Sequence, residues 1–258
     1  MNRFAALLYH NLTERPSSAY QADPDALRSQ VRWLRGEGFV VEGLGGLARR
    51  LSDGDEVPEA YAVLTFDDGH RSNLRAAEIV REEGGQATFF PSVRHCREEP
   101  DYLKAPDIAA LGELAEVGSH GVTHRWLHRM PVEELRGELQ ESRNWLADIL
   151  QRPVDLLSLP GGGGSRTVRR EAAAAGYRLI GTSIERWNTR AGAARGTVGR
   201  VMVRPDWDEA RFQAVARCRP GVVGPRWARS IATDSLRRVL SQGTMIRLSQ
   251  ARRRLRSG

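Results

Sequence analysis

Cysteine is nearly absent from this chain of 258 residues, and long apolar runs are missing altogether. The two cysteines, Cys96 and Cys218, are far apart in sequence, which excludes a disulfide framework and a CxxC metal pair. No apolar run approaches the roughly 18 residues of a membrane-spanning helix. The short apolar stretch Phe4–Tyr9 also lacks the cleavage site of a signal peptide. We therefore expect a cytoplasmic protein in a reducing compartment.

Several nucleotide-binding and hydrolase motifs are missing as well. The glycine run Gly161–Gly164 is not followed by the Lys-Ser/Thr pair of a P-loop, and the segment Glu42–Gly46 does not fit GxGxxG. No serine stands in a GxSxG pattern, which argues against a serine hydrolase. What the sequence does contain is 40% hydrophobic and 28% charged residues, a composition typical of a globular protein.

Lysine is also scarce, and the positive charge is concentrated at one end of the chain. After residue 225 there are nine arginines and one acid, Asp234, a net charge of +8. Because the whole chain carries +7, residues 1–225 carry −1, so we expect no specific nucleic-acid partner. The tail is either a solvated terminus or a segment attracted to anionic lipid headgroups or polyphosphate. In the second case the protein would be peripheral to the inner membrane face.

Short apolar runs that predict buried strands alternate with amphipathic stretches that predict helices. The clearest strand is Ala60–Phe66, and the predicted helices include Asp107–Val117 and the long helix Pro131–Leu150. Such alternation predicts parallel strands with helices outside them. About seven units suit an α/β fold, a distorted (β/α)7-type barrel in a single domain. We predict that residues 1–225 form this barrel and that residues 226–258 form a basic helical C-terminal extension.

Polar side chains follow several of the predicted strands. In β/α barrels the reacting groups lie at the carboxyl ends of the strands, where these side chains would meet. They are His10 after the first strand, Asp67 and Asp68 after Ala60–Phe66, His120 and His124 in a later segment, and Pro160, Gly161 and Trp187 after two further strands. The predicted rim therefore gathers two acids and three histidines.

These polar groups also have ordinary structural explanations. Asp67-Asp68-Gly69 is good turn chemistry, whereas adjacent carboxylates at a strand end can divide the work, one on a metal and one as a base. His120 and His124 are four residues apart, which on a helical turn puts both imidazoles on one side, as in many metal sites. The alternative is two surface histidines. We interpret His70 and His95 as surface residues and His128 as structural or exposed.

Metal chemistry would link these groups. Two histidines and one aspartate are three ligands, and they leave a position open for water, as in catalytic zinc sites. Water bound in such a site becomes a nucleophile near neutral pH. A second carboxylate could then act as general base and a further histidine as general acid.

Thr65-Phe66-Asp67-Asp68-Gly69 and Ser119-His120-Gly121-Val122-Thr123-His124 resemble the first two motifs of the NodB-homology polysaccharide deacetylases, carbohydrate esterase family 4. The resemblance covers roughly residues 5–205 and extends to the family's distorted barrel. It implies Asp67 as the catalytic base. It also implies Asp68, His120 and His124 as ligands of a divalent metal, usually Zn²⁺.

The third and fourth motifs of that family are only partly present. The third usually carries an arginine before Pro-Tyr-Gly, and here the segment reads Ser158-Leu159-Pro160-Gly161-Gly162. The arginine that braces the base is therefore missing, and Arg200 is our candidate for a substitute. A backbone N–H near Pro160–Gly162 would hold the oxyanion. The fourth motif keeps only Trp187, which we expect either to wall the acyl pocket or to pack in the core.

The family's C-terminal Leu-x-His, which supplies the acid, is absent, because no histidine follows His128. Leu8-Tyr9-His10 instead resembles the N-terminal strand motif of the circularly permuted deacetylases that act on poly-N-acetylglucosamine. This resemblance implies His10 as the general acid.

The resemblance as a whole implies a metal-dependent hydrolase that removes an N-acyl group, in the first instance N-acetyl, from an amino-sugar-containing glycan or glycoconjugate. Two alternatives stay open, a saccharide-binding protein that has lost catalysis and a hydrolase of another C–N bond such as a formamide. Most relatives are exported, and this chain shows no export signal. We therefore expect the substrate to be a cytoplasmic amino-sugar conjugate, lipid-linked or soluble.

Overall fold

The computed structural model describes residues 2–239 and Thr244. The strands are β1 (Arg3–Tyr9), β2 (Asn11–Leu12), β3 (Gln21–Ala22), β4 (Val40–Glu42), β5 (Tyr61–Asp68), β6 (Thr88–Pro91), β7 (Glu116–Val117), β8 (Leu156–Ser158), β9 (Leu179–Thr182), β10 (Asn188–Thr189), β11 (Thr197–Gly199) and β12 (Val201–Met202). The helices are α1 (Pro24–Gly36), α2 (Leu44–Asp53), α3 (Asn73–Glu82), α4 (Val93–Glu98), α5 (Ala105–Leu114), α6 (Val132–Leu150), α7 (Arg166–Ala174), α8 (Arg190–Ala193), α9 (Glu209–Ala216) and α10 (Gly224–Val239). Short 3₁₀ turns cover Leu127–Arg129 and Pro160–Gly162.

The parallel strands follow one another around a common centre. β1, β5, β6 and β7 lie side by side in one sheet, and β8, β9 and β11 form a second. A bridge between Ser119 and Leu157 connects the sheets on one side. On the other side β11 runs through Arg200 into β12, which pairs with β1. The predicted single-domain, distorted (β/α)7-type fold is confirmed, although the strands of the described residues do not close into one continuously bonded barrel.

The central strands are apolar on both faces because helices cover one face and the barrel interior fills the other. All of β1 after Arg3 is buried, and so is β5 up to Asp67. Tyr9, Phe66 and Phe89 stack across three neighbouring strands, with ring centroids 5.0 and 4.6 Å apart. The stack lies near the carboxyl ends of β1 and β5.

Helix α5 is shorter than the predicted helix Asp107–Val117. It ends at Leu114, and Glu116–Val117 pairs instead with β6 as strand β7. The strand is only two residues long, so apolar spacing alone could not separate it from the helix before it. Its position matters because the chain leaves β7 directly toward His120.

The C-terminal helix α10 begins one residue after Val223, which is buried. Residues 240–243 and 245–258, which hold most of the arginine-rich tail, lie outside the described residues. The division at residue 225 between barrel and extension therefore stays a prediction. Across the part of the chain that is described, no helix combines the length and apolar character needed to cross a membrane.

Candidate active site

The side chains predicted to react lie where β1, β5 and β8 end and in the loop that follows β7. Asp67 and Asp68 are the last two residues of β5, and His10 directly follows β1. His120 and His124 lie in the loop between β7 and α6. Because β1, β5 and their neighbours run parallel, these groups share one rim of the fold.

Asp67 is held by a buried ion pair with Arg200. Arg200 Nη1 and Nη2 each lie 2.8 Å from one oxygen of the Asp67 carboxylate. The Ser158 hydroxyl donates to Asp67 Oδ2 at 2.9 Å and accepts from Arg200 Nη2 at 2.8 Å. Both Asp67 and Arg200 are almost inaccessible to solvent. This bidentate geometry fixes both the orientation and the charge of the carboxylate.

Burial works to raise the pKa of the Asp67 carboxyl, but the positive charges of Arg200 and His120 and the hydrogen bonds from Arg200 outweigh it. The net effect is a lowered pKa, so Asp67 is ionised at neutral pH. An ionised carboxylate with a fixed orientation can accept a proton.

Arg200 reaches Asp67 from the junction of β11 and β12. Its Nε donates to the Thr182 carbonyl at 3.1 Å, and its guanidinium lies over the Phe90 ring at 5.8 Å. Gly181 makes room for it, because a Cβ at that position would come within 2.9 Å of Arg200 Nε. Arg200 therefore pairs with the predicted base, as expected for a substitute of the missing arginine. It lies between β11 and β12, whereas the segment that corresponds to the family's third motif follows β8.

The second acid, Asp68, faces the two histidines. His120 Nε2 lies 3.3 Å and His124 Nε2 3.1 Å from Asp68 Oδ1. The three donor atoms lie within 4.8 Å of one another. His120 is buried, whereas His124 and Asp68 are partly open to solvent. The predicted ligand set is thus brought together at one point.

The loop that carries the histidines is not the helical turn that their spacing predicts. Residues 118–126 have no helical structure, and both Gly121 and His124 have a positive φ, +74° and +55°. Asp68 is likewise left-handed, with φ +74°. Non-glycine residues with positive φ are uncommon and tend to lie at functional sites. The expected helical turn was wrong, and backbone turns instead bring the two imidazoles together.

A buried acid from α6 anchors this loop. Glu138 accepts hydrogen bonds from Val122 N–H at 2.7 Å and from Thr123 N–H at 3.0 Å. The Thr123 hydroxyl also donates to it. Glu138 thereby satisfies loop donors that no regular secondary structure would satisfy.

The donor set fits a divalent cation. The Ser158 carbonyl can only accept a hydrogen bond, so His120 Nδ1, 2.9 Å away, carries a proton. His120 Nε2 is therefore the atom that would ligate, and it points at Asp68. With no ion bound, burial works to raise the pKa of Asp68, but hydrogen bonds from His120 and His124, which an ion would replace, outweigh it and hold that pKa well below its usual value. An anionic oxygen and two imidazole nitrogens are common ligands of Zn²⁺ and related ions.

His10 lies near these carboxylates, with its ring edge-on to Tyr20 at 5.0 Å between centroids. It is buried, and its Nδ1 has no hydrogen-bond partner. Burial lowers the pKa of His10, and the charges of Asp68 and Asp67 oppose this only in part. Its backbone carbonyl accepts from Asn73 Nδ2 at 2.7 Å, which fixes the chain where β1 ends.

The remaining predicted site residues have structural surroundings. Pro160 has no N–H, and the Gly162 N–H donates to the Leu159 carbonyl at 2.7 Å, so neither is a free oxyanion donor. Gly161 lies against the Trp126 indole, which a Cβ would approach to 2.6 Å. Trp187 is half-buried and packs against the main hydrophobic core.

Three residues near the site were missed or misread from the sequence. His95 was interpreted as a surface residue, but its ring lies 4.8 Å from that of His124 and its Nδ1 is buried. Ser158 and Glu138 were not singled out at all. Glu138 shares the buried face of α6 with Leu135, Leu139 and Ser142, and an acid on such a face is a signal that could have identified it.

Comparisons with known proteins bear on the family and the fold. Residues 54–180 match the family described as Polysaccharide deacetylase. YxkH of Bacillus subtilis (strain 168), whose name places it among polysaccharide deacetylases, is 21% identical over 218 residues, 81% of this chain and 74% of its own. The poly-beta-1,6-N-acetyl-D-glucosamine N-deacetylase of Escherichia coli (strain K12) is 33% identical over 73 residues, 28% of this chain and 11% of its own.

A solved structure shares the fold. The deacetylase PplD of Streptococcus pyogenes, determined in complex with acetate, superposes with a TM-score of 0.75 at 19% identity. The match covers 83% of this chain and 98% of that one. The matched segment 54–180 contains Asp67, Asp68, His120 and His124, and this segment is a domain of the NodB-homology polysaccharide deacetylase family.

Proposed function

We propose that this protein is a metal-dependent hydrolase that removes an N-acyl group, in the first instance N-acetyl, from an amino-sugar-containing glycan or glycoconjugate. The observation that carries the proposal is the pairing of two different carboxylate environments at one rim. Asp67 is ionised and braced by Arg200, and beside it Asp68 meets two histidine nitrogens. One group suits proton transfer and the other suits cation binding.

Asp68, His120 and His124 would hold the divalent ion, and Zn²⁺ is the first ion to test. When bound, such an ion acts as a Lewis acid that polarises an acyl carbonyl and makes water a better nucleophile. The protein's own contribution is to fix these ligands. The Ser158 carbonyl sets the tautomer of His120, and Glu138 sets the loop that carries His124.

Asp67 is proposed to accept the proton of the attacking water. The bidentate contact with Arg200 holds the carboxylate in one orientation, and burial keeps competing solvent away from it. Attack on the acyl carbon forms the new C–O bond, and the C–N bond then breaks with the electron pair going to nitrogen. His10, which burial keeps neutral, is proposed to pass the proton that Asp67 has taken up on to the leaving amine, so the products are a carboxylic acid, which ionises in water, and a free amino sugar.

The saccharide substrate is proposed from the relatives rather than from a pocket. The Escherichia coli relative is named for poly-beta-1,6-N-acetyl-D-glucosamine. An N-acetylglucosamine unit is therefore the first substrate class to test on this chain. Hydrolysis of another C–N bond, such as that of a formamide, would use the same groups in the same roles.

The test is acetate release by the purified full-length protein from a panel of N-acetylated glucosamine oligomers and conjugates, with metal content measured on the same sample. We expect bound divalent metal, acetate release from at least one member of the panel, and loss of that release in Asp67→Asn with metal retained. Metal bound without any acetate or formate release would instead favour a saccharide-binding protein that has lost catalysis. Release that is unchanged in Asp67→Asn would overturn the role of Asp67.

A further inference from the structure

The C-terminal helix α10 carries a strip of exposed apolar side chains. Trp227 and Ile231 lie one helical turn apart and are 48% and 38% exposed. Ala228 and Ala232, which are also exposed, lie beside them on the same side of the helix. Ser230, on the other side, is half-buried. The helix therefore turns an apolar strip outward, although most large apolar side chains of the described residues are buried in the core.

This strip belongs to the C-terminal part of the sequence, which accounts for the net positive charge of the whole chain. Residues 226–258 contain nine arginines and one acidic residue, whereas residues 1–225 carry a net charge of −1. Arg229, on α10 itself, is exposed. An apolar strip on a helix within an arginine-rich segment is the composition of helices that lie in the interface of an anionic bilayer, where Trp is favoured.

Helix α10 is attached to the rim of the candidate active site. The Ser230 hydroxyl accepts a hydrogen bond from the Glu185 N–H at 3.2 Å. Glu185 follows β9, and nearby Ser183 packs so closely on Gly162 that a Cβ there would come within 2.2 Å of the Ser183 Cβ. Gly162 lies in the turn after β8, whose last residue, Ser158, bonds to Asp67. A short chain of contacts thus joins the helix to the catalytic rim.

We propose that α10 binds the surface of a bilayer that contains anionic lipids, with Trp227 and Ile231 inserted between the headgroups. The charge of the tail attracts the protein, and the apolar strip retains it at the interface. Residues 1–225 carry a net charge of −1, so the tail supplies the net attraction of the chain to an anionic surface. One consequence rests on the proposed function: a membrane-bound α10 would hold the rim that it contacts near the headgroups, where a saccharide carried on a lipid could reach it.

A bilayer explains the strip better than a nucleic acid does. Arginine and Trp can both contact a nucleic acid, the first at phosphates and the second by stacking on bases. Ile231 and the two alanines beside Trp227 have no such use, but they add apolar area to an interface with lipid. Loss of Trp227 and Ile231 should therefore weaken binding to vesicles far more than binding to phosphates.

The experiment is vesicle flotation of the full-length protein. We expect binding to vesicles of equal parts phosphatidylcholine and phosphatidylglycerol, little binding to phosphatidylcholine alone, and weaker binding as salt is raised. Trp227→Ala/Ile231→Ala should lower the partition coefficient at least about tenfold at constant charge. Arg252→Gln/Arg253→Gln/Arg254→Gln should weaken binding most at low salt. The assay needs no substrate, so its result is independent of whether the proposed function holds.

Tyr20→Ala is the matched control, because Tyr20 is an exposed aromatic residue outside the tail, at 49% exposure. It should bind vesicles like the parent protein, and circular dichroism should show all variants folded. The proposal is overturned if the parent does not bind the mixed vesicles, if it binds both compositions equally, or if the Trp227/Ile231 variant binds like the parent. Binding to a single-stranded oligonucleotide that the apolar variant retains, with no vesicle binding, would assign the tail to nucleic acid.

Discussion

Asp67 and Asp68 are consecutive residues, yet the surroundings of their carboxylates differ in kind. Both oxygens of Asp67 accept hydrogen bonds from Arg200, and Ser158 adds a third. Oδ1 of Asp68 is instead approached by two imidazole nitrogens, from His120 and His124. The Asp67 network is satisfied by the protein alone, whereas the Asp68 cluster presents three donor atoms to one point.

The site therefore has two halves, the Asp67 network (the base half) and the Asp68 cluster (the ligand half). They are also built from different kinds of backbone. Asp67, Ser158 and Arg200 stand on or between strands and are buried. Asp68 and His124 have left-handed backbone, and the loop that carries His124 depends on one acid from α6, Glu138. Folding of the sheet therefore fixes the proposed base, while the geometry of the proposed ligands depends on a loop anchor and on the ion that they would bind.

The largest expected effect is on the rate of acetate release, and the metal content of the same variants distinguishes the two halves. Asp67→Asn should lower the rate of acetate release by about 10²–10⁴-fold and leave the metal content unchanged. His120→Ala should lower both the rate and the metal content to background, because it removes a buried ligand. Metal content by mass spectrometry beside initial rates checks this. If metal is lost in both variants, the two halves are not separate.

The next effect is on stability and concerns the base half. Arg200→Met leaves the Asp67 carboxylate buried without its counter-charge and should cost about 3–5 kcal/mol of unfolding free energy. Asp67→Asn/Arg200→Met should recover a large part of that loss, since neither buried charge is then left alone. Urea unfolding curves provide the measurement.

A surface pair gives the matched control for this double-mutant cycle. Arg94 and Glu98 form an ion pair at 2.8 Å in which both side chains are more than half exposed, at 57% and 59%. Arg94→Met should change the unfolding free energy by at most about 1 kcal/mol. A similarly small loss for Arg200→Met would show that the base is not held by its buried ion pair.

The sequence predicts the base half of the site, which stands on strands, better than the ligand half, which depends on a loop. The apolar run Ala60–Phe66 predicts a buried strand, and a strand end is where Asp67 and Asp68 stand. The spacing of His120 and His124 is also visible, but it suggested a helical turn. The structure instead has a loop, because Gly121 is left-handed and Glu138 bonds to the backbone of the two residues that follow it.

The partners of Asp67 could not be predicted from sequence spacing because they are distant in the chain. Ser158 bonds to an acid 91 residues earlier in the chain, and Arg200 pairs with an acid 133 residues earlier. Arg200 was considered only because the family's usual arginine is missing, while Ser158 was known only as a residue of the altered motif. Local periodicity carries no information on such pairs, because the order of strands around the barrel brings them together.

A smaller effect is expected from the loop anchor of the ligand half. Glu138→Gln keeps the shape of the side chain but places an amide where a carboxylate accepts two backbone N–H groups and the Thr123 hydroxyl. We expect metal affinity to weaken by about 10–100-fold, while the rate at saturating metal stays close to that of the parent. Competition with a chromogenic chelator measures the affinity.

Glu141→Gln is the matched control, since Glu141 lies on the same helix but is exposed and pairs only with Arg97 among the described ion pairs. It should bind metal like the parent. Equal affinity in the two variants would mean that Glu138 stabilises the fold without setting the geometry of the ligands.

The smallest expected effect is the pH dependence of stability that Asp67 contributes. Its pKa is lower in the folded state than its ordinary value, so folding favours the ionised form. Its contribution is therefore fully present above the unfolded pKa of about 4 and is lost as pH falls through the lowered folded value. The unfolding free energy of the parent minus that of Asp67→Asn should fall by up to about 1.4 kcal/mol per pH unit in that window.

Asp68 and the surface acids are present in both proteins and cancel in this difference. Urea unfolding at a series of pH values from about 6 to about 3 measures it, and a difference that stays constant or grows toward low pH would contradict an ionised Asp67 braced by Arg200.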